Sequence, residues 1–67
     1  MNYPKLRGAI REKFGTQAAF AKAISMHSTT LSGKLSGRTD WTRQEIEDAA
    51  LALGIPSIEL PDYFFTH

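Results

Sequence analysis

The sequence predicts an all-α chain, a compact bundle of about five short helices forming one domain over residues 1–67. Three observations predict it. Apolar residues recur at three- and four-residue intervals in several separate stretches, and no alternating run of the kind a half-buried strand needs is evident. Ser, Thr and Gly residues able to cap helices punctuate those stretches. No cysteine is present among the 67 residues, so packing must stabilise this short chain without disulfides or thiolate zinc sites.

Asn2 is placed to cap the first helix, and Pro4 sits near its start, where a missing N–H costs least. Leu6, Ile10 and Phe14 follow at four-residue spacing, and Gly15 supplies a left-handed stop. Lys5, Arg7, Arg11 and Lys13 are left on largely exposed faces. Gly8 costs about 1 kcal/mol relative to Ala in a helix interior, and we read it as the mark of a close helix crossing.

Thr16 is the natural cap of the second helix, which runs to about Ser25 with larger apolar residues at Phe20 and Ile24. A bend over Ser25, Met26, His27 and Ser28 buries only Met26. The third helix starts near His27 or Ser28, with a Ser side chain to satisfy an unpaired N–H, carries Leu31 and Leu35 on one stripe, and ends at Gly37. Gly33 in its middle removes a side chain from the face expected to meet a partner. Two short helices joined by a tight bend over about residues 16–37 make a helix-turn-helix, whose second helix usually enters the DNA major groove.

Thr42 and Glu45 match the Thr-x-x-Glu capping box. They open a fourth helix striped by Ile46, Ala49, Ala50 and Leu53 and closed by Gly54 with Ile55. Glu45, Glu47 and Asp48 lie near its N-terminal end, where carboxylates favour the dipole. Pro56 and Pro61 forbid one long helix in the tail, residues 56–67, so two short turns are expected. Ile58, Leu60, Tyr63, Phe64 and Phe65 make that tail an aromatic lid on the core. Any of them left exposed would form an apolar patch for dimerisation or a partner protein.

Eight Lys and Arg against seven Asp and Glu leave a net charge of only +1. Its distribution is uneven: cations crowd the chain up to Arg38 against Glu12 alone, and acids crowd the remainder against Arg43 alone. The basic side could attract phosphates. No apolar run approaches the roughly 20 residues of a membrane span, and the N-terminus lacks a signal-peptide core, so a soluble, cytoplasmic-type protein is expected. Catalysis is not expected, because the Ser and Thr residues of the third helix have no base paired with them in sequence. His27 and His67 are too isolated to hold a metal. No cofactor is expected.

Gln17, the Phe20-Ala21 pair, Ile24, Met26 and the run 28–38 with Leu31, Leu35 and Gly37 resemble the Cro/C1-type helix-turn-helix family of phage repressors. The ending through Tyr63, Phe64 and Phe65 also resembles short Cro-like proteins of phages and integrated elements of Gram-positive bacteria. The resemblance implies a lambda-repressor-like DNA-binding fold. It implies that Gln17 bonds a phosphate and that Ser28, Thr29, Ser32 and Gly33 face the groove. His27, Lys34 and Arg38 would be flanking contacts, the last two to phosphates. Ser25 departs from the family, which often has Gly there. The recognition helix also offers Ser, Thr and Gly where strong base readers would be Arg, Asn or Gln.

Two readings follow. The main one is a transcriptional regulator of a phage lysis/lysogeny switch that binds double-stranded operator DNA through the third helix, as a homodimer or with another protein. The alternative is an antirepressor or modulator of repression that binds a companion phage repressor rather than DNA alone.

Overall fold

In the computed structural model, which describes residues 3–65, five α-helices and one 3-10 turn follow one another with no strand among the described residues. They are α1 (Pro4–Phe14), α2 (Gln17–Ala23), α3 (Ser28–Leu35), α4 (Arg43–Leu53), the 3-10 turn (Ser57–Glu59) and α5 (Leu60–Phe64). The Cα radius of gyration is 10.5 Å, close to the roughly 11 Å expected of a well-packed chain this long. The α1 helix is central, packing against α2, α4 and α5, while α2 packs on α3.

The expected stripes face inward. Leu6, Ile10, Phe20, Leu31, Leu35 and Ala49 are essentially removed from water, joined by Tyr3, Ala21, Leu53 and Phe64. Phe14 is half-buried and meets Phe20 with ring centroids 5.3 Å apart. The tail closes the core only in part: Phe64 is buried and Tyr63 and Leu60 are half-buried, whereas Ile58 and Phe65 are exposed. Trp41, in the connection between α3 and α4, is half-buried and packs against this core. Its ring meets Tyr3 and Phe64 edge-on, at centroid distances of 6.4 and 5.2 Å, geometries that favour the ring quadrupoles.

Local chemistry ends the helices as expected at most positions. The Ala19 N–H donates to Thr16 Oγ1 at 3.1 Å, and Gly15 caps α1 at φ 83 with its N–H on Arg11 O at 3.0 Å. At the end of α4, Gly54 lies at φ 70 and the Ile55 N–H reaches Ala50 O at 2.9 Å. Between α2 and α3, Ser25 takes the same left-handed position, φ 57, while the Met26 N–H bonds Ala21 O at 2.8 Å. A residue with a side chain is thus held where glycine is the cheaper choice.

Three expectations are corrected. Asn2 lies outside the described residues, as does His67; the cap of α1 is Tyr3, left-handed at φ 49, whose side chain makes no capping bond and joins the core instead. No Ser side chain caps α3: its cap is His27, which makes no side-chain bond either. Gly8 marks no helix crossing, since a Cβ built there meets nothing within 4 Å. Replacing Gly8 by Ala therefore removes only backbone freedom, and chemical denaturation should show a gain of about 0.5–1 kcal/mol.

The α3–α4 junction is tied by one ion pair. Lys34 Nζ lies 2.8 Å from Glu45 Oε1 and donates at 2.8 Å to Asp40 O. The same Glu45 oxygen accepts the Thr42 N–H at 2.8 Å, and Thr42 Oγ1 accepts the Glu45 N–H at 3.2 Å, completing the capping box. Burial pushes the Glu45 carboxyl up. The Lys34 ammonium and the Thr42 N–H and hydroxyl oppose that and hold it below its ordinary value of 4.5. Because the folded-state value is the lower one, this contribution to stability is complete above about pH 4.5 and is lost as pH falls through the folded-state value. Glu45→Gln leaves the Lys34 charge without its counter-ion. It should cost about 3 kcal/mol at neutral pH, and its melting temperature should fall less steeply below pH 4.5 than that of the parent.

Candidate functional site

The bend between α2 and α3 leaves one side of α3 facing solvent. Leu31 and Leu35 anchor the adjoining side in the core. Ser28, Thr29 and Ser32 are exposed and fall at three- and four-residue spacing, so they form one continuous hydroxyl-bearing strip. His27 precedes them as the exposed cap of α3, and Ser36, one turn beyond Ser32, extends the same polar surface. Gln17 opens α2, half-buried beside Arg7 and Arg11 in a shallow cleft that also includes Gly15 and Thr16. Arg38 is exposed just beyond α3, its N–H held by Gly33 O at 2.9 Å.

Two of the residues expected at this surface are inside the fold. Gly33 is buried because residues 36–39 fold back over it: its carbonyl accepts the N–H groups of Arg38 and Thr39 and the Ser36 hydroxyl at 2.9, 3.3 and 3.0 Å. A Cβ at Gly33 would sit 3.7 Å from Thr39 Oγ1, so the missing side chain leaves room for this chain's own loop, not for a partner. Lys34 is 6% exposed and committed to Glu45 and Asp40. Its ammonium is not presented to phosphates.

Two other cations of the basic half are engaged within the chain, Arg7 half-buried and Lys5 at the surface. Half-buried Arg7 donates from Nη2 to Leu35 O at 3.0 Å, satisfying a carbonyl at the end of α3. Lys5 lies 3.9 Å from Asp62 and 4.8 Å from the Tyr63 ring centre. The two oppositely charged halves of the sequence therefore face each other in part, and the charge available to an outside ligand is smaller than the sequence suggests. On the exposed strip itself, Arg38 is the flanking cation.

Among the described residues, no group of three or more His, Cys, Asp and Glu side chains converges to hold a metal ion, and no helix is long and apolar enough to cross a membrane. The hydroxyls of the strip can each donate and accept hydrogen bonds, and His27 stands at its head. Sequence spacing did not single out Leu51, and Ile58, expected in the lid, lies outside the core; both are almost fully exposed. For Leu51 the signal was present: it lies outside the stripe of Ile46, Ala49, Ala50 and Leu53.

This architecture is similar to a solved one. The solution structure of the modulator of repression (MOR) of the temperate bacteriophage TP901-1 from Lactococcus lactis matches with a TM-score of 0.80 and 38% sequence identity, over 97% of this chain and 88% of that one. That protein is by name a modulator of repression, the alternative of the two readings left open by the sequence. No curated protein sequence matches. The family model described as "Protein of unknown function (DUF739)" matches residues 1–67, and the chain belongs to that family.

Proposed function

We propose that this chain is a modulator of repression in a phage-type genetic switch, acting by binding a partner repressor protein through the exposed strip of α3. The observation that carries this reading is the similarity to the TP901-1 modulator along nearly the whole chain. The α3 surface is compatible with it. Ser28, Thr29 and Ser32 are small and uncharged, allowing a partner's backbone to come close, and their hydroxyls can donate or accept. Gln17, His27 and Arg38 border that contact.

Direct operator binding is the weaker reading. With Lys34 and Gly33 inside the fold, the strip offers hydroxyls, which bond several bases alike, and no Arg, Asn or Gln on the helix to read base edges. The loss of Lys34 from the surface removes one of the expected phosphate contacts as well.

A mobility-shift experiment on the cognate early promoter, with and without the companion repressor, tests the proposal. The chain alone should leave the DNA unshifted, and adding it should change the repressor's own shift. Ser32→Glu places a charge in the centre of the strip and should weaken the complex with the repressor at least tenfold without changing the melting temperature, because Ser32 is exposed. A salt-dependent shift by the chain alone, reduced by Arg38→Ala, would instead establish operator binding. Lys34→Ala is unsuitable for this purpose, since it breaks the junction between α3 and α4.

A further inference from the structure

Leu51 and Ile58 are 85% and 86% exposed, and the core does not use them. Leu51 stands on the outer face of α4 between two open clefts. One is walled by Ala23, Ile24 and Ala52, with Asp48 at its edge. The other is walled by Ala50, Ile55, Pro56 and Leu60, with Glu47 at its edge. Ser57 also lines the second cleft, and Ile58 follows it on the 3-10 turn. Neither cleft is lined by Lys or Arg, and Glu59 adds a carboxylate next to Ile58. Lys13, whose Nζ would lie 3.8 Å from a Cβ on Gly54 of the second cleft, faces that same Glu59 side, so that Glu47 and Asp48 are the carboxylates left to set the sign of the ridge. Arg43, one turn before, pairs with Glu47 at 3.2 Å, but both side chains are largely in water and the pair is weak.

We propose that this apolar ridge with its acidic edge is a second docking surface, occupied by an amphipathic helix of a partner protein that carries an apolar row flanked by lysines or arginines. Charge complementarity selects this occupant. A second copy of the chain meeting the ridge symmetrically would set Glu47 and Asp48 against their own equivalents, a like-charge arrangement that opposes closure. A basic partner instead gains attraction from the same carboxylates. The helical form follows from the ridge between two clefts: side chains one turn apart on a docked helix can straddle Leu51 and enter both. The ridge shares no residue with the α3 strip, so the inference stands whether that strip meets a repressor or DNA.

The test is an NMR titration of the isotope-labelled chain with a synthetic amphipathic helix of Leu and Lys, compared with the same helix carrying Glu for Lys. The Lys peptide should shift the methyl signals of Leu51, Ile55 and Ile58 while leaving the amides of Thr29 and Ser32 in place, and should bind at least tenfold more tightly than the Glu peptide. Leu51→Ser with Ile58→Ser should weaken it at least tenfold at an unchanged melting temperature, since both side chains are already in water. Equal binding of the two peptides, or shifts away from the ridge, would overturn the proposal. Self-association in sedimentation equilibrium that the double substitution abolishes would also overturn it, by making a second copy the occupant. Failure of the Ser32→Glu experiment would leave these outcomes unaffected, so the two proposals fail separately.

Discussion

The Lys34–Glu45 pair is the constraint on which the arrangement of this small protein depends. It joins the end of α3 to the beginning of α4 across a connection that has no regular structure of its own. It also fixes the direction of both helices, because Glu45 belongs to the capping box of α4 and Lys34 reaches the Asp40 carbonyl on the way. A lysine that is 6% exposed cannot stay charged cheaply without such partners. With Lys34 held inward, Ser28, Thr29 and Ser32 must look outward, so the polarity of the exposed strip follows from the buried pair.

Aromatic packing does for the other side of the core what the ion pair does for the junction. The alanine-rich second and fourth helices bring little bulk beyond Phe20 and Leu53, and the deficit is made up by Phe64, Tyr3 and Trp41. Trp41 connects the start of α1 to the last helix through its edge contacts with Tyr3 and Phe64. Residues distant in sequence thereby share one cluster, which anchors the tail while leaving Ile58 and Phe65 outside it.

The surfaces that remain differ in chemistry. The α3 strip is polar, small and nearly neutral; the α4 ridge is apolar with carboxylates at its edges. A regulator that acts through protein partners can use both kinds, one for close hydrogen-bonded approach and one for burial. The low net charge fits this better than it fits tight DNA binding, for which phosphate contacts supply much of the affinity.

Local elements were legible in the sequence because their causes are local. Thr16, the Thr42–Glu45 box, Gly15 and Gly54 act within a few residues, and the four-residue stripes of α1 and α3 need only helical periodicity to be seen. Tertiary structure decided what those helices present. Gly33 looked available to a partner, but residues 36–39 fold over it; Lys34 looked like a phosphate contact, but Glu45, eleven positions later, claims it. Trp41 became a core residue only through Tyr3 and Phe64, far from it in sequence. Helical spacing fixes which residues share a face. Whether that face ends in water or against another part of the chain depends on long-range packing, which no local pattern encodes.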